Sequence, residues 1–223
     1  MMKKIGLVSQ KGGAGKTTLA VHLACLAAAD GQKTVLIDCD PQRSVTKWYR
    51  KRQGADPIVV ETASRDLRKV LNIAEEDGYD LAVVDTAPHA NAETAEAVRN
   101  IDFAVVPCRP SSLDMEAIDI TVELMRATHK PAAIVLNACD PMRGIAESSS
   151  TVEARAGLGT YGLPVAPTAI VDRKAMQYAL IDGRAVTEFE PNGKAADELR
   201  KLWRWIEGQL ETHVISSVGI GIR

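Results

Sequence analysis

The sequence predicts an α/β domain: a doubly wound, mostly parallel sheet flanked by helices. Three observations predict it. Apolar runs alternate with amphipathic stretches from end to end. The runs TVLID, LAVVD, FAVVP and AAIVL are continuously apolar and rich in β-branched residues, as strands buried on both faces are. The first apolar run leads directly into SQKGGAGKTT, a glycine- and lysine-rich turn that opens a helical stretch. Such alternation puts covering helices on both faces of a parallel sheet.

Residues 3–9 read as the opening strand and residues 16–29 as a helix, with Gly31 at the site past a helix end that favours glycine. Residues 34–38 form the second strand. Residues 41–53 look helical and residues 57–60 extended. Ser64 suits the N-cap of a helix over 65–76 that Gly78 ends. Further strands follow at 80–85, 102–107 and 132–137, with a long helix near 113–129 between the last two. Ser148 to Thr151 reads as a helix start, and the last helix covers about 194–210. Residues 1–211 are expected to form one domain. The tail 212–223 carries glycine and serine and is expected to be flexible.

Composition narrows the function. Lys and Arg number 27 against 29 Asp and Glu, so no global charge points to nucleic acid, and binding of that kind must come from a local patch. No apolar run approaches the roughly 20 residues of a membrane span. Polar residues follow Ile5–Val8 too soon for a signal sequence, and a cytosolic protein is expected. Cys25, Cys39, Cys108 and Cys139 are scattered, which excludes the usual zinc and iron–sulfur spacings and suits buried thiols in a reducing compartment.

The turn after the first strand carries the chemistry. A phosphate loop follows the pattern G-x-x-x-x-G-K-[ST]. Gly15, Lys16 and Thr17 supply its end, but Gln10 occupies the first glycine position and Lys11 follows it. Backbone N–H groups of Gly12, Gly13, Ala14, Gly15, Lys16, Thr17 and Thr18 would face phosphate oxygens at a helix N-terminus. Lys16 would bind β- and γ-phosphates, and the Thr17 hydroxyl would ligate Mg²⁺. Asp85 ends LAVVD, while Asp38 and Asp40 end VLIDCD. Strand C-termini are where open parallel sheets bind ligands, so these acids converge on the loop. Asp85 suits metal holding through water, and an acid facing the γ-phosphate can position an attacking water. Lys11, on the outer lip, could reach a neighbouring subunit's phosphates across a face-to-face dimer.

KGGAGKTT resembles the deviant Walker A motif of the ParA/MinD superfamily. LIDCDPQRS resembles its A′ motif and LAVVDTAP its Walker B and switch II. DCDPQRSVTKW, PSSLDMEA and TAIVDRKAMQYALIDGRAV resemble the small ParF-like partition ATPases in particular. Larger ParA proteins carry an N-terminal DNA-binding extension, and none is expected here, because the sequence opens on the first strand. The resemblance implies ATP/ADP and Mg²⁺ as cofactors, with Lys11 acting across the dimer and Lys16 and Thr17 at phosphate and metal. It implies that Asp40 positions water, that Asp38 lies near the metal and that Asp85 is the Walker B acid. It places adenine near Asn137 and the loop carrying Pro167, Ile170, Asp172 and Arg173.

The resemblance further implies an ATP-dependent homodimer that binds DNA without sequence preference, is nucleoid-associated, and segregates plasmid or chromosome. A ParB- or ParG-like centromere-binding partner would stimulate its hydrolysis. Two basic sets could serve DNA: Arg43, Lys47, Arg50, Lys51 and Arg52, or the favoured C-terminal set Arg155, Lys174, Arg184, Lys194, Arg200, Lys201 and Arg204. A MinD-like or other cargo-positioning ATPase on a membrane or protein surface is the alternative. Leu199, Leu202, Trp203, Ile206 and Leu210 share one helical face. Packing on the domain is the expected use of that face, and the chain is expected to bind no membrane.

Overall fold

The computed structural model describes residues 1–88, 92–142, 144 and 146–218, with side chains through residue 212. Six strands form one sheet: β1 (Lys3–Leu7), β2 (Thr34–Asp38), β3 (Ile58–Glu61), β4 (Leu81–Asp85), β5 (Phe103–Cys108) and β6 (Ala132–Leu136). Their order is β3-β2-β4-β1-β5-β6, and every neighbouring pair is parallel. Five coincide with expected strands, and β3 falls on the stretch read as extended. Alternation within the runs explains why they are apolar throughout. Ile5, Leu7, Leu81, Val83, Phe103 and Val105 enter one core, whereas Ala82, Val84, Ala104 and Val106 enter the other.

On the first face lie α1 (Lys16–Ala29), α2 (Ser44–Tyr49), α7 (Lys174–Ile181), α8 (Val186–Phe189) and α9 (Lys194–Val218). On the second lie α3 (Leu67–Glu76), α4 (Ala92–Arg99), α5 (Ser112–Thr128) and α6 (Ser149–Leu158). Helix α1 is buried almost all round because the sheet covers one side and α8 and α9 the other. Gly31 follows it at φ 89°, the left-handed turn expected there. Ser111 caps α5 by accepting from the Asp114 N–H at 3.2 Å, and Ser148 caps α6 through the Thr151 N–H at 3.3 Å.

Several expectations are corrected. Residues 41–43 are not helical. The Asp40 carboxylate accepts from the Gln42 N–H at 2.8 Å and Arg43 turns left-handed, so α2 begins only at Ser44. Ser64 opens a 3-10 turn rather than capping α3 with its side chain. Helix α9 continues beyond residue 210 to Val218, and residues 219–223 of the expected tail lie outside the described residues. Helices α4, α7 and α8 were not anticipated.

The apolar face of α9 is spent on the core. Leu199, Leu202, Trp203, Ile206 and Leu210 are at most 2% exposed, worth roughly 1.5–3 kcal/mol for each large side chain. No described helix is long and apolar enough to cross a membrane.

Candidate nucleotide site

The turn between β1 and α1 is held from several directions. The Lys16 ammonium donates to the Ser9 carbonyl at 3.1 Å, and the Gln10 N–H donates to the Thr121 hydroxyl at 3.3 Å. The Asn137 amide donates to the Ala14 carbonyl at 2.8 Å. Gly15 stands at φ 97°, and a Cβ there would lie 2.1 Å from Asn137 Nδ2. Only glycine lets the end of β6 approach so closely. The first-turn N–H groups of α1 have no intrahelical acceptors and open onto this loop, adding the helix's positive end. An anion is the natural occupant.

Sheet register brings the acids to the same place. Leu7 of β1 pairs with Asp85 of β4, and Asp85 pairs with Asp38 of β2. The Thr17 hydroxyl donates to Asp85 Oδ2 at 2.6 Å. Asp85 Oδ1 is buried and has no partner among the described residues. Desolvation pushes the Asp85 carboxyl up to about 7, against the opposing pull of the Thr17 hydrogen bond and Lys16. Burial pulls the Lys16 ammonium down, opposed by Asp85 and Asp40.

An orphaned carboxylate oxygen beside a threonine hydroxyl is a hard-oxygen donor pair, and it fits Mg²⁺. Among the described residues no group of three His, Cys, Asp or Glu forms a metal cage. Mg²⁺ does not need one, because it retains waters and takes phosphate oxygens as ligands.

Asp38 stands beside Asp85 and also has a structural task. It is fully buried, and both its oxygens are occupied. Oδ1 accepts from the Asp40 N–H at 3.3 Å, and Oδ2 accepts from the Thr46 N–H at 2.9 Å and the Thr46 hydroxyl at 2.8 Å. This carboxylate fastens the start of α2. The sequence reading missed Thr46, whose spacing from Asp38 carries no familiar signature. Asp40 uses one oxygen on Gln42, and its other oxygen accepts nothing from the described residues. Lys11 is partly exposed, and its ammonium has no partner among them.

The loop carrying residues 167–173 walls a cavity of about 590 Å³ with Cys139, Met142, Pro167, Arg173, Lys194 and Glu198 in its lining. Asp172 is exposed beside it. Ile170 does not fit the expected adenine contact. Its side chain is fully buried in the first core, and its N–H donates to the Leu136 carbonyl at 2.9 Å. Arg173 is drawn to Glu198 at 2.6 Å, and the Asn137 amide to the Ala14 carbonyl of the turn after β1.

The expected DNA residues separate. Arg155 is removed from that set, because it pairs with Glu147 at 2.5 Å and donates to the carbonyls of Ala166 and Pro167. Arg184 pairs with Asp182 at 2.5 Å, Lys201 with Asp197 at 2.7 Å, and Arg200 donates to the Pro191 carbonyl at 2.8 Å. Lys174, Lys194 and Arg204 are exposed with no ion pair among the described residues. In the earlier set, Arg43 pairs with Glu61 and Arg52 with Glu188.

The four cysteines are buried and free, and burial pushes the Cys25, Cys39 and Cys108 thiols up to about 12. Unreactive core residues were expected at these positions.

Residues 5–185 match the CobQ/CobB/MinD/ParA nucleotide binding domain. The chain belongs to this family. Among its relatives is a Maintenance of carboxysome distribution protein A from Gloeobacter kilaueensis, 32% identical over 93% of each chain. The protein of that name from Halothiobacillus neapolitanus is 28% identical over 89% of this chain and 93% of its own. The chromosome-partitioning ATPase Soj of Thermus thermophilus is 27% identical over 90% and 94%. The ParA/MinD fold recurs in solved structures. Apo McdA from Cyanothece aligns with a TM-score of 0.78 at 17% identity, covering 94% of this chain and all of that one. MinD from Pyrococcus horikoshii, solved with Mg-ADP, aligns with a TM-score of 0.74 at 16% identity over 96% and 99%.

Proposed function

We propose that this ParA/MinD-family protein is a Mg²⁺-dependent ATPase that dimerises on ATP and, as the dimer, holds DNA without sequence preference. The observation that carries this is the orphaned Asp85 Oδ1 beside Thr17, at the mouth of a loop that ends in a helix N-terminus. Bound magnesium would neutralise charge on the phosphate oxygens. Thr17 and Asp85 hold that position, Lys16 grips the phosphates from the buried side, and Asp40 orients the attacking water through its unused oxygen. Lys11, on the lip and with no partner among the described residues, serves the partner subunit's nucleotide.

DNA retention is assigned to Lys174, Lys194 and Arg204, doubled by dimerisation. A ParB- or ParG-like partner would stimulate hydrolysis and release the dimer, which makes the protein cytoplasmic and nucleoid-associated. The test is DNA retention across a salt series. ATP-loaded protein is expected to bind and to lose affinity steeply with salt, whereas ADP-loaded protein is expected to bind weakly. Equal retention with both nucleotides overturns the DNA reading.

Likeness to two carboxysome-distribution proteins favours a second reading, in which the same cycle positions a protein-surfaced cargo. Deleting the gene separates the two readings, since one expects plasmid or chromosome loss and the other clustering of a protein compartment.

A further inference from the structure

The loop has two flanks of opposite character. On the β4 and β2 side stand Asp85, Asp38 and Asp40. On the other side β1 pairs with β5, whose end carries Arg109. The Arg109 guanidinium lies 3.8 Å from the point a Cβ on Gly13 would occupy, and Gly13 itself is exposed at φ 81°. The backbone beneath it is anchored. The Asn137 N–H donates to the Cys108 carbonyl at 2.9 Å, the Ser111 N–H to the Arg109 carbonyl at 2.8 Å, and Pro110 follows. Arg43, Arg52, Arg155, Arg173 and Arg184 all pair with carboxylates, but the exposed Arg109 guanidinium has no hydrogen bond or ion pair among the described residues.

Charge supplies the reason to look there. Near the loop, the three acids Asp38, Asp40 and Asp85 outnumber the loop's own lysines, Lys11 and Lys16, before any triphosphate adds its own negative charge. A planar fork on a fixed stalk suits phosphate oxygens better than a flexible ammonium. Lys16 and Thr17 form the deep end of the loop and Gly13 its exposed lip, so a group beside Gly13 meets the outermost phosphate.

We propose that Arg109 is a phosphate-binding residue, directed at the terminal phosphate of the nucleotide in its own subunit's loop. This rests on the nucleotide reading of that loop.

The test measures affinities of the full chain for ADP and for a non-hydrolysable ATP analogue in wild type, Arg109→Ala, Arg109→Lys and Lys16→Ala. Arg109→Ala is expected to weaken the triphosphate by roughly tenfold or more, as loss of a charge-assisted hydrogen bond does. ADP affinity should hold, and Arg109→Lys should recover part of the loss. An unchanged triphosphate-to-diphosphate ratio in Arg109→Ala overturns the proposal, as does equal weakening of both nucleotides. A loss seen only at concentrations where dimers form moves the contact to the partner and overturns the own-subunit assignment. Wild-type binding by Lys16→Ala overturns instead the nucleotide reading of the loop.

Discussion

His22 shows what one residue contributes away from the nucleotide. It sits in the middle of α1, fully buried, and its Nδ1 accepts from the Val186 N–H at 3.2 Å. Its Nε2 is buried without a partner among the described residues. Desolvation pulls its pKa down from 6.5 to about 4, against smaller opposing effects from Met176 and Glu188. The native state therefore keeps a neutral ring while the unfolded chain takes up a proton. Above pH 6.5 neither form is charged, and His22 adds no pH dependence. Between 6.5 and 4 acidification favours the unfolded chain, and by pH 4 up to roughly 3 kcal/mol is lost. His22→Gln keeps an acceptor for Val186 and does not titrate. Its urea unfolding free energy is expected to fall less steeply across that window than that of wild type. Parallel slopes would assign the acid sensitivity to other groups.

At the scale of elements, α2 is the informative case. It has only six residues, too few to hold a helix by propensity. Trp48 and Val45 bury one face of it, and Asp38 fastens its first turn through Thr46. Thr46→Val removes one of the donors to a buried carboxylate, at a cost of about 1–3 kcal/mol. A lowered denaturation midpoint with an unchanged slope is the expected result. No shift at all would mean that Asp38 finds another donor. Because Asp38 and Asp40 are two residues apart, the clamp also sets where the proposed water-positioning acid stands.

For the whole molecule the prediction concerns assembly. With ATP and Mg²⁺, Asp40→Ala is expected to accumulate as a stable dimer that turns over slowly, and Lys11→Ala to stay monomeric. Light scattering and phosphate release measure both. A wild-type chain that remains monomeric with saturating, uncleaved ATP would leave the proposed cycle without its dimer, and normal hydrolysis by Asp40→Ala would remove that residue's role.

How far these features could be read beforehand varied with the kind of interaction. Strands β2, β4, β5 and β6 were legible because burial on both faces demands unbroken apolar runs, whereas the part-exposed edge strand β3 read only as extended. The loop was legible because its glycines and lysines are consecutive. Short α8 and the brief α4 and α7 were not, since four to eight residues show too little periodicity to separate helix from turn. Ile170 was misassigned because backbone pairing of its segment with β6 and the residues just after it, through Ile134 with Val165 and Cys139 with Val171, turns it inward. No local pattern records that register. Arg155 looked like a free cation because Glu147 meets it only once α6 has folded.

The sequence by itself determined the parallel sheet, the anion-holding turn and the presence of acids at strand ends, because each follows from side-chain pattern and neighbouring residues. Tertiary structure decided which carboxylate oxygen is left open, which arginines are already neutralised and that Arg109 stands beside Gly13. Those depend on partners distant in sequence, and burial and pairing exist only when the distant segments meet.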